Sequence, residues 1–522
     1  MLDTKTMPHL ADIPRVQAAI RPDEVALWYK GEDTTFAELE TRTNQVANGL
    51  LALGVVPDER VGYLAKNTAV YYEMMFGAAK ARAVMNGVNT RLAAPEVKFI
   101  LTDAKIGTLF VGPEFYDMID QIKDECPDLK HVIAIEGTHG DWPNYAEWRD
   151  SQEASAPGLE THDDDDVIQL YTSGTTGLPK GVMLTNGNYR NFFDQCAMLE
   201  WSSYDVGDAI MNAMPLFHVA GVNVGILAAA QGAKTVVLPD IVPSEILNLV
   251  ESQKIAHAFW VPAVILMLSQ QPDFRERDYS SLRQVFYGAS PITEDLLRTA
   301  VDVMDARFTQ LYGLTETVGA ATYLPPEAHD PSWNKLRSCG VPWPQAVVRC
   351  VDPEGNQVPT GEVREIVVRS GFVMKGYWNR PDATEDAIRD GFFYTGDAGY
   401  FDEDGFLYIH DRIKDMIVSG GENVYPAEVE NAIFGHPDVA DVAVIGVPDE
   451  KWGEAVKAII VAKPDTSPTA EDIIAYAKER IAGYKCPKSV DVISEMPRNP
   501  SGKILRKDLR EPYWEGRDRR VG

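Results

Sequence analysis

Cysteine is scarce in this chain, with five residues (Cys126, Cys196, Cys339, Cys350 and Cys486) among 522. They are odd in number, scattered and free of any C-x-x-C, so neither a disulfide framework nor a zinc cluster is indicated, and a reducing compartment fits. Positive charge is also short. Lys plus Arg number 49 against 78 Asp plus Glu, a formal charge of −29, which repels nucleic acid and anionic membranes and points to small-molecule partners. No stretch reaches the roughly 18 consecutive apolar residues of a membrane span, and the N-terminal residues, with Asp3, His9, Asp12 and Pro14, lack an apolar segment. The expectation is a cytoplasmic protein, neither secreted nor membrane-spanning. Missing too is a G-x-G-x-x-G between a strand and a helix, which argues against a dinucleotide dehydrogenase. What is present, 45% apolar and 24% charged residues over 522 positions, is the balance of a globular chain with two or three domains.

The densest chemistry lies in Tyr171-Thr-Ser-Gly-Thr-Thr-Gly-Leu-Pro-Lys-Gly181, just after the apolar run 167–170. Gly174, Gly177 and Gly181 can turn backbone N–H groups inward, Thr172, Ser173, Thr175 and Thr176 add donors, and Lys180 adds a cation, which together make a phosphate-holding loop. The spacing fails G-x-x-x-x-G-K-[ST], and Pro179 pushes Leu178 away from helical geometry, so no helix starts on the lysine. The acidic residues 163–166 just before it read as a solvated linker that could also help seat the loop.

Short β-branched runs at 60–64, 107–111, 132–135, 234–238, 256–260 and 284–287 alternate with helical patterns at 70–81, 224–231, 243–252, 262–270 and 293–304. This is the α/β signature of mainly parallel sheets covered by helices. Residues 347–409 change to short strands and turns, a small antiparallel β subdomain. Beyond Asp411 a compact α+β unit is expected, with strands at 441–447, 458–462 and 489–493 and a helix at 470–482.

Six further segments accompany the loop: Pro215-Leu-Phe-His218, Tyr287-Gly-Ala-Ser-Pro291, Tyr312-Gly-Leu-Thr-Glu-Thr317, Tyr394-Thr-Gly-Asp397, Asp411-Arg-Ile-Lys-Asp-Met-Ile-Val-Ser-Gly-Gly421 and Pro497-Arg-Asn-Pro-Ser-Gly-Lys503. In order and content they resemble the motif series of the adenylate-forming superfamily, which comprises acyl-CoA synthetases, nonribosomal-peptide adenylation domains and beetle luciferases. The phrases Asn89-Thr-Arg-Leu-Ala-Ala-Pro-Glu and Ser419-Gly-Gly-Glu-Asn-Val-Tyr-Pro look closest to the fatty acyl-CoA synthetases.

The resemblance implies a two-step ligation: a carboxylate attacks the α-phosphorus of ATP to give an acyl-adenylate and pyrophosphate, and the thiol of coenzyme A then displaces AMP. It implies a larger N-terminal domain over 1–411 with a β-barrel-like subdomain and a mobile lid over 412–522, hinged near Lys414. Lys503 matches the lysine that bridges the carboxylate and the α-phosphate. Glu316 matches the residue that holds Mg²⁺, a hard cation suited to carboxylate and phosphate oxygens, with the Thr315 and Thr172 hydroxyls beside the phosphates and Thr172 a further metal contact. Tyr312 matches the ring stacked on adenine, with Gly288, Ala289 and Ser290 around base and ribose; Asp397 and Arg412 match the ribose pair. Ser419, Gly420 and Gly421 correspond to the thiol tunnel, and Trp452, Tyr484 and Lys488 to the coenzyme A nucleotide. Cys486 stands where some relatives carry arginine, which puts the 3′-phosphate contact in doubt.

His218 matches a gate beside the reacting carboxylate. Gly221, Val222, Trp260, Tyr287, Val318, Gly319 and Ala320 are the expected acyl-pocket walls; they carry no charge to pair with an amino-acid ammonium. A medium- or long-chain fatty acid is the leading substrate, with an aryl, phenylpropenoid or steroid side-chain acid still open. A peptide-synthetase module would need a carrier domain, for which the residues after Leu509 leave no room, and a luciferase-like oxygenase would share the same adenylation site. A homodimer is compatible with the sequence.

Overall fold

The computed structural model describes residues 3–172, 179–290, 292–412, 415–419, 422–449, 452–498 and 504–515. The chain divides into two compact units, residues 1–348 with 368–393, and residues 349–367 with 394–522. The second unit thus takes in 349–367 and 394–411, which the sequence reading assigned to the larger domain.

The first unit carries two mainly parallel sheets. Among the described residues one has seven strands, in the order Gly376–Tyr377, Lys180–Thr185, Asp166–Thr172, Val84–Gly87, Arg60–Leu64, Thr108–Val111, His131–Ala134. The other has nine, in the order Val341–Pro342, Thr322–Leu324, Arg307–Tyr312, Gln284–Gly288, Ile255–Trp260, Ala209–Asn212, Lys234–Val237, Val25–Tyr29, Glu32–Thr35. Their central strands are buried on both faces, which is why they lack the apolar/polar alternation of a half-exposed strand, and the polar residues within them, Arg60, His257 and Gln284, are themselves buried. The helix Ala69–Lys80, apolar nearly all round, is correspondingly enclosed.

Local chemistry sets the element ends. Thr35 and Glu38 form a reciprocal capping box at the start of Phe36–Ala52, and Thr185 with Asn188 does the same for Asn186–Cys196; each such cap contributes about 1 kcal/mol. Gly232, at φ 78, closes Val219–Gln231 in the left-handed conformation that glycine adopts without a Cβ penalty.

In the second unit, Phe392–Phe401 pairs antiparallel with Leu407–Arg412, within residues 394–412 of that unit. A further sheet orders Glu422–Val424, Ile417–Ser419, Gly453–Ala462 and Val439–Asp449, with Ser489–Val492 parallel to Gly453–Ala462. Its buried face, including Ile417, Val442, Val444, Val456 and Ile460, packs with Val429 and Ile433 of helix Pro426–Phe434 and Ile473 of Ala470–Lys478. The strands Val439–Asp449, Gly453–Ala462 and Ser489–Val492 and the helix Ala470–Lys478 fall where the α+β unit was expected, and Ile417–Ser419, Glu422–Val424 and Pro426–Phe434 are additional.

Candidate functional site

Parallel strands place their carboxyl ends on one edge of a sheet, and the connections leaving that edge are where α/β folds bind ligands. On the nine-stranded sheet, Trp260 is in register with Tyr287, and Gly288 with Leu311, so Trp260, Tyr287, Gly288 and Tyr312 terminate three adjacent strands side by side. Gly288 has no room for a side chain: an added Cβ would lie 2.1 Å from the Leu311 carbonyl oxygen. The chain then turns through Ala289, at φ 65, and Ala289 and Ser290 are exposed at the rim.

Beyond Tyr312 a short 3₁₀ turn, Thr315–Thr317, carries Glu316. The Leu314 N–H donates to the Thr317 hydroxyl, that hydroxyl donates to the Leu314 carbonyl, and Gly319 N–H closes onto the same carbonyl at 2.7 Å. Gly313 lets the two limbs meet, since a Cβ there would stand 2.2 Å from the Gly319 carbonyl carbon. Glu316 is only 8% exposed, and its Oε1 accepts from the Tyr377 hydroxyl at 2.9 Å. Val318 follows at φ 51, a left-handed setting that is strained for a β-branched residue. Asn223 holds it by donating to the Val318 carbonyl at 2.8 Å.

On the seven-stranded sheet, Thr172 ends Asp166–Thr172 directly opposite Lys180, the first residue of the returning antiparallel strand. That Lys180 opens a strand and not a helix agrees with the reading of Pro179. Ser173, Gly174, Thr175, Thr176 and Gly177 lie outside the described residues. The base of this strand is braced. The Tyr171 hydroxyl donates to Asp103 at 2.6 Å, Arg380 donates to the same carboxylate at 2.6 Å, and Trp378 Nε1 donates to the Asp103 carbonyl at 2.9 Å. Burial and Asp103 together push the Tyr171 hydroxyl far above its ordinary pKa, so it stays a donor.

The acidic run 163–166 is not the solvated linker that its composition suggests. Asp166 is buried against Arg60 at 2.8 Å and Lys375 at 2.9 Å, Asp165 pairs with Arg82 at 2.7 Å, and Asp163 pairs with Arg190 at 2.7 Å. Cations drawn from a strand, a helix and separate loops turn a charge cluster into an anchor for the strand. Desolvation raises the Asp166 pKa despite its partners.

His218 precedes helix Val219–Gln231, its ring 4.7 Å from that of Phe217. Gly87, ending a strand of the other sheet, packs onto the Leu216 carbonyl and Phe217 backbone, where a Cβ would sit 3.0 and 3.2 Å away. The imidazole Nε2 is out of solvent and has no hydrogen-bond partner among the described residues. Burial lowers the His218 pKa to about 4, with the charge of Arg91 adding to the effect. Val222, Trp260, Tyr287, Val318 and Ala320 are all buried. The Tyr287 hydroxyl lies 3.0 Å from His329 Nε2, while Trp260 Nε1 has no partner among the described residues. Gly221 has a different surrounding: its missing side chain makes way for the Pro215 and Met214 carbonyls, 2.4 and 2.7 Å from an added Cβ. Gly319, at φ 74, faces Val219 and Asn223.

In the second unit Asp397 stands opposite Arg412 across the antiparallel pair, so residues separated in sequence share one rung. Asp397 is buried, its N–H donating to the Thr395 hydroxyl at 3.1 Å. Ser419 is in register with Gly453, which brings it beside exposed Trp452. Tyr484 is exposed, and Lys488 Nζ donates to the Gly483 carbonyl at 3.3 Å. Cys486 turns inward, 1% exposed in the core of this unit. Lys414, Gly420, Gly421 and Lys503 lie outside the described residues.

Tyr377, Asn223 and Asp103 escaped the sequence reading. Their partners are remote in the chain, and the one local signal, an aromatic pair after Gly376, has no fixed meaning by itself.

Comparison with known proteins fits this arrangement. Residues 14–378 match the family described as AMP-binding enzyme, and residues 428–503 match the AMP-binding enzyme C-terminal domain. The chain is 39% identical over 505 residues to the fatty acid–[acyl-carrier-protein] ligase ScoC of Streptomyces coeruleorubidus, covering 96% of this chain and 95% of that one. It is 38% identical over 512 residues to the long-chain-fatty-acid–CoA ligase FadD13 of Mycobacterium tuberculosis, covering 96% of each. The solved anthranilate CoA ligase AuaEII, in complex with anthranoyl-AMP, superposes with a TM-score of 0.88 at 28% identity, covering 97% of both chains.

Proposed function

The chain belongs to the AMP-binding enzyme family, and from that premise we propose that it is an AMP-forming acid–thiol ligase acting on a medium- or long-chain fatty acid. The observation that carries the reading is the alignment of Gly288, Tyr312 and the Glu316 turn at one sheet edge, with Tyr377 linking Glu316 to the strand that leaves the phosphate loop. Relatives named for fatty-acid ligation support the substrate class.

Adenine would stack on Tyr312 between Gly288, Ala289 and Ser290, and Asp397 with Arg412 would hold the ribose diol, a carboxylate being suited to accept from both hydroxyls. Lys180, Thr172, Thr315 and the residues 173–177 would meet the phosphates. Lys503 would sit between the carboxylate and the α-phosphate, offsetting the repulsion of two anions brought together. His218, neutral at physiological pH, would offer Nε2 to the reacting carboxyl without adding charge to the pocket. Trp260, Tyr287, Val222, Val318, Gly319, Ala320 and Gly221 would bound the acyl tail, each buried methylene contributing about 0.8 kcal/mol.

Mg²⁺ fits the residues present. Among the described residues no group of three His, Cys, Asp or Glu side chains could hold a metal by itself, whereas the buried Glu316 carboxylate with the Thr172 hydroxyl and the nucleotide's own phosphate oxygens would supply the hard oxygen set that this ion takes. When bound, it would neutralise phosphate charge.

For thioester formation, the segment after Lys414 would turn so that Ser419, Gly420 and Gly421 line the thiol path, with Trp452, Tyr484 and Lys488 toward coenzyme A. The proposed division for this motion is at residues 411/412. A cytoplasmic location accords with the composition, and no described helix is long and apolar enough to cross a membrane. The oligomeric state proposed is a homodimer.

The test is a panel of C4 to C20 fatty acids with benzoic, cinnamic and steroid acids, assayed for pyrophosphate release with coenzyme A, with an acyl carrier protein, or with neither. Highest kcat/KM on a medium or long fatty acid with coenzyme A supports the proposal. Preference for an aryl or steroid acid replaces the substrate, and turnover only with carrier protein replaces the thiol.

A further inference from the structure

Residues 374–378 run as a strap between the two halves of the candidate site. At one end the Met374 N–H donates to the Glu316 carbonyl at 2.8 Å. The Lys375 N–H then donates to the Met183 carbonyl at 3.1 Å and the Trp378 N–H to the Gly181 carbonyl at 2.8 Å, with Gly376 in register with Met183 and Tyr377 with Val182. The strap is therefore stitched to the Glu316 turn and to the strand that begins at Lys180.

Tyr377 is the residue of this strap whose side chain reaches both. Its hydroxyl donates to Glu316 Oε1 at 2.9 Å, and the Lys180 ammonium stands 4.9 Å from the centre of its ring. Tyr377 and Glu316 are each 8% exposed, and the Tyr377 N–H is tied to the Thr384 hydroxyl at 2.9 Å. A glutamate carboxylate hangs on three rotatable bonds and has several competing orientations; a hydrogen bond from a ring fixed by backbone pairing selects one of them. A flexible lysine is likewise biased toward the face of the aromatic ring.

We propose that Tyr377 is a positioning residue for the triphosphate, holding the Glu316 carboxylate and the Lys180 ammonium in the mutual geometry that receives the β- and γ-phosphates with their metal. This rests on the functional reading above. The effect follows the ligand's charge distribution: groups aimed at the outer phosphates matter for MgATP and little for AMP, which has neither of those phosphates. A tyrosine serving only to fill space would affect the two ligands alike.

Calorimetric titration of the full chain with MgATP and, separately, with AMP distinguishes these roles, with thermal melting recorded for each variant. Tyr377→Phe is expected to weaken MgATP about tenfold, the scale of one hydrogen bond to a charged group, while AMP stays within about twofold of wild type. Tyr377→Leu, which also removes the ring beneath Lys180, is expected to weaken MgATP further. In a Glu316→Gln background, Tyr377→Phe is expected to lose most of its own effect on MgATP, because the hydroxyl acts through that carboxylate. Wild-type MgATP affinity in Tyr377→Phe overturns the inference, as does a parallel loss of MgATP and AMP. A Tyr377→Phe chain that does not fold overturns it too, by making the hydroxyl a determinant of folding. If wild type itself binds no MgATP, the functional reading falls and this inference with it; if wild type binds and the variant matches it, only the inference falls.

Discussion

The Asn223 amide donates across 2.8 Å to the carbonyl of Val318, a buried β-branched residue held at φ 51 two positions after Glu316. One hydrogen bond from the helix Val219–Gln231 thus offsets part of the backbone strain in the turn that presents the carboxylate. Asn223→Leu keeps the branched outline of the side chain and removes both the donor and the oxygen that accepts from the Tyr189 hydroxyl at 3.3 Å. The expected result is a loss of about 1–3 kcal/mol, read as a lower thermal midpoint, together with slower pyrophosphate release. An unchanged midpoint and rate would mean that Val318 holds its conformation without Asn223.

His218 gives a pH signature. Burial lowers its pKa in the folded state to about 4, below the roughly 6.5 of an unfolded histidine. The unfolded chain therefore binds the extra proton between those values, and stability falls as pH drops through that window. The contribution lost is up to about 3 kcal/mol. His329, also buried with a pKa of about 4, adds a second such proton. His218→Asn should make the thermal midpoint less sensitive to pH between about 6.5 and 4, and the retained slope should include His329 and His257, whose pKa burial also lowers. An unaltered slope would mean that His218 charges in the folded state.

The Arg60–Asp166 pair anchors the strand ahead of the proposed phosphate loop, with Arg60 stacked on Trp378 at 3.6 Å. Asp166→Ala takes the buried carboxylate from Arg60 and Lys375, leaving the guanidinium the exposed Asp58 carboxylate at 3.0 Å, and should cost up to about 3–5 kcal/mol. The paired replacement Arg60→Met with Asp166→Leu should recover much of that loss. Thermal unfolding of the single and double variants measures both, and equal losses would contradict the pairing.

Lys503→Ala should slow pyrophosphate release by about 100-fold or more while sparing thioester formation from preformed acyl-adenylate. Equal loss in both half-reactions would remove Lys503 from its proposed role. Lys414→Pro should show the reverse pattern if the lid turns there, and loss of both steps would displace the hinge.

Much of the scaffold was legible because doubly buried strands leave largely apolar, β-branched or aromatic runs. The strand Arg60–Leu64 and the helix Pro243–Ser252 agree to the residue with the sequence reading. Other elements were shortened in the reading for identifiable reasons. The helix Val219–Gln231 begins ahead of the expected Val224, and Gly221, in the turn left out, is a close-packing position against the Pro215 carbonyl. The strand Gly453–Ala462 begins ahead of Ala458 because Glu454 and Lys457 are polar yet buried, with Lys457 paired to Asp491 at 2.7 Å. Local pattern carries no information about such distant partners. The same holds at the site: motif residues such as Gly288, Tyr312 and Glu316 are marked by their neighbours in sequence, whereas Tyr377, Asn223 and the buried role of Asp166 exist only through contacts made by the fold.

The central claim is that a carboxylic acid attacks the α-phosphate of ATP on this chain. Acid-dependent exchange of labelled pyrophosphate into ATP, without any thiol, tests that step in isolation. The account predicts exchange that requires a medium- or long-chain fatty acid and yields AMP once thiol is added. ATP hydrolysis to ADP, or no exchange with any acid of the panel, would contradict it.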